Sequence, residues 1–198
     1  MKNTPWGLAS LALAVLVGLG ALVWWVNAPH RTAPEPSDIG GAFHLVDQTG
    51  AAVDEGVLRG KVSAVFFGYT YCPDVCPTTL ANLGQAVSLL GPEAKGFQVI
   101  FITVDPERDT PAALAAYLAS PTFPKGVRGL GGSPAQIAAV AKAYHVYYQK
   151  VPQGGSYTMD HSAVVYLMDP EGRFIRPLDT RVPPAQIAQQ IRMALAGT

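Results

Sequence analysis

The chain has 198 residues, with Lys plus Arg and Asp plus Glu equal at 14 each, so its formal net charge is zero. The charges are scattered, with no basic stripe and no acidic tail, which sets aside a polyanionic partner such as nucleic acid. Charged residues make up only 14% of the chain, low for a soluble protein, and part of that bias comes from one end.

Between Lys2 and Asn27 there is no charge, and residues 8–26 are only apolar residues, Gly and Ser. As a helix rising about 1.5 Å per residue, this run nearly matches a hydrocarbon core of roughly 30 Å. Trp24 and Trp25 fall where an interfacial aromatic belt would lie. A cleaved signal peptide has a shorter apolar region, about 7–15 residues. Here the small-residue site Val26-Asn27-Ala28 is followed by Pro29, a poor cleavage context, and no cysteine follows for a lipid anchor. The expectation is an uncleaved membrane anchor over 1–27 with a short cytoplasmic end. A Pro-rich tether over 28–40 follows, then one domain over 41–198 outside the cytoplasm. The N-terminus lacks the Arg-rich, Ser-rich character of a mitochondrial transit peptide. The expected location is therefore a bacterial inner membrane, with the domain in the periplasm.

The domain opens with a strand at 43–46, a turn at 47–50, and a hairpin return over 51–53. A second turn at 58–61 leads into Val62-Ser63-Ala64-Val65-Phe66-Phe67, a β-rich run bounded by Gly68. After a cysteine segment, Leu80, Leu83, Val87 and Leu90 recur at helical spacing. Pro77 suits a first turn there, and Gly91-Pro92 ends the helix. Residues 97–104 form a continuous apolar run, the pattern of a central parallel strand covered on both faces. Asp105-Pro106 stops it, Thr110-Pro111 starts a short helix to about 119, and a Pro/Gly-rich stretch fills 120–133. A helix over 134–144, a strand over 146–151, a loop over 152–159 and a strand over 163–168 come next. A turn at 169–172 leads into Phe174-Ile175, and Ile187, Ile191 and Leu195 mark a last amphipathic helix. Strands alternating with helices, then a terminal hairpin and helix, predict an α/β domain with a mixed sheet.

Both cysteines lie in Tyr71-Cys72-Pro73-Asp74-Val75-Cys76-Pro77. Such a pair can form a disulfide, bind a soft metal, or exchange electrons with other thiols. A structural staple is the weakest of these, because closing so short a ring stabilises by only about 2 kcal/mol, against about 4.7 for a 100-residue loop. A cysteine at a strand-to-helix junction also sits near the positive end of a helix dipole, which favours thiolate. Of the four histidines, His30 lies in the tether, His44 in the first strand, and His145 after a helix, where it reads as structural. His161 stands between Asp160 and Ser162 at the start of an apolar strand, a position that can face the cysteine loop. Two cysteines and one histidine fall short of the four ligands of a structural zinc site. Two thiolates with one imidazole suit copper, with Cu(I) favoured by the soft sulfurs. Met159 could add a thioether, although packing is its commoner role.

The segment from Phe67 to Leu80 resembles the signature of the Sco/SenC proteins. So do Val104-Asp105-Pro106-Glu107-Arg108-Asp109-Thr110-Pro111, the 144–148 segment, and Asp160-His161-Ser162 running into Tyr166-Leu167-Met168-Asp169-Pro170. The four motifs occur in order and span roughly residues 40–195. The resemblance implies a thioredoxin-like fold, with a central mixed β-sheet flanked by helices, on an N-terminal transmembrane anchor. It implies one copper, Cu(I) or Cu(II), per monomer, with Cys72, Cys76 and His161 as ligands. The implied role is that of a metallochaperone serving the binuclear copper site of cytochrome c oxidase during assembly. The implied partners are the copper-bearing oxidase subunit and, beyond it, another periplasmic copper chaperone or a thioredoxin-like reductant. Asp105 and Arg108 are expected near the copper loop or the partner surface, and Asp74 as a helix-start residue. Tyr71 stands where many members have His, and Met159 where an aliphatic residue is common.

The same two sulfurs would serve a different activity, thiol-disulfide exchange by Cys72 and Cys76 that reduces the cysteines of the oxidase copper site. Thioredoxins usually carry C-x-x-C and a cis-proline opening the facing strand. Here the spacing is C-x-x-x-C, and Asp160-His161-Ser162 holds no proline. Both differences favour metal. A peroxiredoxin-like thiol would follow a Pro-x-x-x-Thr-x-x-Cys pattern, which is absent.

Overall fold

The computed structural model describes residues 38–197, together with Gly18 and Leu19, which are helical. Apart from those two residues, the expected anchor over 1–27 lies outside the described residues, as does the tether up to residue 37. Among the described residues no helix is long and apolar enough to cross a membrane.

The domain is built on a seven-stranded sheet. Its strands are β1 (His44–Asp47), β2 (Ala52–Asp54), β3 (Val62–Gly68), β4 (Phe97–Thr103), β5 (Arg128–Gly131), β8 (Val165–Met168) and β9 (Phe174–Leu178). They lie in the order β2-β1-β5-β4-β3-β8-β9. The strands β3, β4 and β5 run parallel, and the remaining pairings are antiparallel, so the sheet is mixed as expected. Every residue of β3 is buried, which requires cover on both faces and explains its unbroken apolar run. Four helices provide that cover: α1 (Val75–Leu90), α2 (Pro111–Leu118), α3 (Pro134–Ala143) and α4 (Pro184–Ala196). Among them α1 packs on α4, and α2 lies against β5.

Local chemistry sets the helix starts. Thr110 and Ser133 cap α2 and α3 through their hydroxyls, each followed by Pro at the first helical position. Ser133 and Gln136 form a reciprocal capping box, satisfying two otherwise unpaired amides. Asp74 precedes α1 as expected, but its side chain caps no amide; it accepts from the Thr78 hydroxyl instead. The core gathers around β3 and β4 with the aromatic cluster Phe67, Tyr144 and Tyr166, whose centroids lie 5.3–6.2 Å apart.

Three segments differ from the sequence reading. The turn placed at 58–61 is preceded by a 3-10 helix over Glu55–Leu58. The Pro/Gly-rich stretch 120–133 contains β5, which Gly129 and Gly131 conceal from propensity. The loop expected over 152–159 is instead a β-hairpin of β6 (Tyr148–Gln153) and β7 (Ser156–His161), forming a separate two-stranded sheet. Its turn is Gly154-Gly155 with φ of 52° and 83°, the pair of positive values that a two-residue type I′ turn requires. That Gly-Gly was the available signal. His161 therefore ends β7 and does not open β8.

Candidate metal centre

The site forms where β3 ends and α1 begins. Gly68 closes β3, the chain crosses Tyr69 to Asp74, and Cys76 falls in the first turn of α1. Cys76 is fully buried, and Cys72 is half-buried. Both are unbridged. The loop is folded back on itself by a bond from the Cys72 amide to the Tyr69 carbonyl, 3.3 Å. The Cys76 amide points to the Cys72 sulfur at 3.5 Å.

His161 reaches this pair from the far end of β7. Its Nε2 lies 3.6 Å from the Cys76 sulfur. Its Nδ1 lies 3.1 Å from the carbonyl oxygen of Ser162. A carbonyl only accepts, so Nδ1 carries the proton and Nε2 presents its lone pair to the sulfurs. The Tyr69 ring meets the imidazole edge-on with centroids 5.8 Å apart. The two sulfurs and the ring nitrogen all lie within 4.8 Å of one another, a cluster that could hold a metal ion. The donor set fits copper: two soft sulfurs, one imidazole nitrogen, and a hydrogen bond behind the imidazole that orients it.

The two sulfurs differ in proton affinity. Hydrogen bonding from Cys76, helped by the backbone amides of Asp74 and Cys76, outweighs burial and lowers the Cys72 thiol to about 3. The interaction with Cys72 and then burial push Cys76 well above the ordinary thiol value. The pair thus carries one thiolate at neutral pH, on the more exposed sulfur.

Among the described residues the other two histidines stand apart from this cluster, and His30 lies outside the described residues. His44 is exposed on β1, and His145 lies 3.3 Å from Asp38 with a positive φ of 55°. Met159 is buried in the core cluster, as its packing role requires. Arg108 lies beside the cysteine loop, its guanidinium carbon 4.7 Å from the Tyr71 ring centroid, and Asp105 is bonded to Arg108. Asp105 is buried and accepts from Arg108 Nε and, at 2.8 Å, from the Tyr157 hydroxyl. Asp109 escaped the sequence reading as a site residue. Its carboxylate accepts from the Thr70 amide (3.0 Å) and hydroxyl (2.6 Å) and from the Thr103 hydroxyl (2.5 Å). Tyr69, whose hydroxyl lies 2.7 Å from that of Thr158, also escapes the sequence reading, as do Tyr157 and Thr158, which sit on a strand that reads as a loop.

The chain is similar to known proteins. The SCO1/SenC family profile matches residues 31–196. Protein SenC of Rhodobacter capsulatus is 38% identical over 196 residues, covering 92% of this chain and 86% of its own length. The copper-bound structure of ScoI from Bradyrhizobium japonicum is 47% identical with a TM-score of 0.73, covering 79% of this chain and 99% of that one. The copper-bound ScoI structure from Arabidopsis thaliana is 35% identical with a TM-score of 0.75, covering 81% and 99%. The motif order, the thioredoxin-like fold and these matches converge, and the chain belongs to the SCO1/SenC family.

Proposed function

We propose that this chain is a membrane-tethered copper metallochaperone. It holds copper through Cys72, Cys76 and His161 and passes it to the binuclear copper site of cytochrome c oxidase during assembly. The observation that carries this reading is the convergence of three copper-type donors, from two segments 85 residues apart, within 4.8 Å. The copper-bound relatives support it. The uncharged 8–26 run supports an N-terminal span in a bacterial inner membrane, with the domain in the periplasm. There the copper-bearing oxidase subunit is the partner, and another copper chaperone or a thioredoxin-like reductant would supply metal or electrons.

A second reading is favoured by the lowered Cys72 thiol. Its thiolate would attack a disulfide of the oxidase copper site, forming a mixed disulfide and releasing one partner thiolate. Cys76, losing its proton, would then attack the Cys72 sulfur. That leaves a Cys72–Cys76 disulfide and the partner as a dithiol, with two electrons transferred.

The test is reconstitution of the reduced protein with Cu(I) or Cu(II), followed by transfer to an apo oxidase fragment. Replacing a direct ligand should exceed the 10–100-fold loss typical of an outer-shell change, so His161→Ala should weaken Cu(II) binding by at least about a hundredfold. The disulfide should still form in that variant. Unaltered stoichiometry and affinity would sink the three-ligand assignment. Reduction of the fragment without copper transfer would favour thiol-disulfide exchange.

A further inference from the structure

We propose that the turn at 105–109 is a yoke that sets the spacing between the two halves of the metal site, with Arg108 as its positioning residue. The proposal deepens the copper-binding reading and rests on it. The hairpin bearing His161 is not hydrogen-bonded into the seven-stranded sheet, and an isolated two-stranded hairpin is at best marginally stable in water. Its placement must come from contacts at its sides: the 105–109 turn supplies three polar ones, and the Tyr69 and Thr158 hydroxyls, 2.7 Å apart, add a direct bond to the cysteine loop.

One end of this turn holds the cysteine loop, because Asp109 receives both the amide and the hydroxyl of Thr70. The other end holds the histidine strand. Arg108 Nη1 donates to the Tyr157 carbonyl at 3.0 Å, and the Tyr157 hydroxyl donates to Asp105, which also accepts from Arg108. The guanidinium carbon sits 3.7 Å from the Tyr157 ring centroid and 4.7 Å from that of Tyr71, the neighbour of Cys72. Arg108 is thus stacked between a residue of the cysteine loop and a residue of the histidine strand. Its Nη2 is buried without a hydrogen-bond partner. Neutralising Asp105 alone would need neither the plane nor the fork of a guanidinium; bridging two rings and a carbonyl needs both. Lys150 adds an exposed ion pair to Glu107 on the same turn, a contact that contributes little.

The experiment uses the reduced full-length chain in detergent, with Arg108→Ala, Arg108→Lys, His161→Ala and the Arg108→Ala/His161→Ala double variant. Amide hydrogen exchange in the copper-free protein should rise about tenfold across 148–161 in Arg108→Ala, with β3 and β4 unchanged. Cu(II) affinity should fall by about tenfold or more, with an altered Cu(II) paramagnetic resonance spectrum. Arg108→Lys should restore neither property fully. The double variant should bind Cu(II) no more weakly than His161→Ala, because Arg108 acts through His161. Wild-type exchange in the hairpin, full rescue by lysine, or additive losses in the double variant would each overturn the yoke. If Arg108→Ala loses protection in β3 and β4, Tyr157→Phe takes its place. That variant removes only the bond to Asp105 and should raise hairpin exchange alone; wild-type exchange there would refute the proposal. If His161→Ala leaves Cu(II) binding intact, the ligand assignment fails, while the metal-free exchange measurement still decides the yoke.

Discussion

A side chain at Gly68 would place its first carbon 2.8 Å from the Cys76 sulfur and 2.8 Å from Cε2 of Phe101. The last residue of β3 therefore has no room for a methyl group, and the sulfur sits directly against the backbone. Phe101 has little freedom to retreat, since it packs against Phe66 and Tyr117. Gly68→Ala should cost about 1–3 kcal/mol through overpacking and displace the Cys76 sulfur. Denaturant unfolding and Cu(II) titration check this together. Wild-type affinity in a folded Gly68→Ala protein would show that the sulfur position is not critical.

The lowered Cys72 thiol and the raised Cys76 thiol have opposite pH signatures. Cys72 is depressed from 9.0 to about 3, so its stabilising contribution is present above 9.0 and is lost as pH falls toward 3. Cys76 is raised, so its contribution is present below 9.0 and is lost at higher pH. Between those limits the pair holds one thiolate. Iodoacetamide should therefore modify Cys72 before Cys76, at a rate nearly flat between about pH 5 and 8. A rate rising tenfold per pH unit across that range, measured by mass spectrometry, would contradict the assignment.

Oxidation should switch the metal site off. A Cys72–Cys76 disulfide offers no thiolate, so the oxidised protein should take up no copper at stoichiometric loading. Equal uptake by oxidised and reduced protein would show that the sulfurs are not the ligands.

Asp109 is buried, and burial holds its carboxyl above the usual carboxylate range despite three donors pointing at it. Asp109→Ala leaves the Thr70 amide and two hydroxyls without their acceptor, and should cost about 2–4 kcal/mol. Because the folded state favours the protonated acid, the wild type gains stability as pH falls through the raised value toward 3.8. The variant should lack that gain. Thermal unfolding across pH measures both effects, and identical slopes would refute the second.

Gly84 tests the fold apart from the metal site. A Cβ there would lie 2.2 Å from the Thr122 carbonyl oxygen, a backbone atom that cannot swing away. Alanine gains about 1 kcal/mol in helix propensity, but forcing α1 off the 122–123 backbone costs more, at the upper end of about 1–3 kcal/mol. Net destabilisation of Gly84→Ala, with unchanged copper affinity in the folded fraction, is the expected result. A stabilised variant would mean that the segment yields.

Much of the fold is legible in individual residues of the sequence. The runs at 62–68 and 97–103 announce buried parallel strands because covering both faces makes every position apolar. Pro111 and Pro134, each behind a hydroxyl residue, announce helix starts because capping is a local matter. The cysteine pair and the four ordered motifs pointed to copper and to His161. Only the tertiary structure decided the rest. The strand β5 exists because β4 and β1 pair with it, and its glycines are small because helix α2 lies over them; a Cβ at Gly129 would meet Leu118 at 2.5 Å. His161 belongs to a separate hairpin, tied to the rest of the site by Arg108, Asp105 and Tyr157 across 49 and 52 residues and by Tyr69 and Thr158 across 89. Propensity and capping act within a few neighbours and can be read along the chain. The spacing of ligands from distant segments is fixed by packing and hydrogen bonds that only the folded chain brings together.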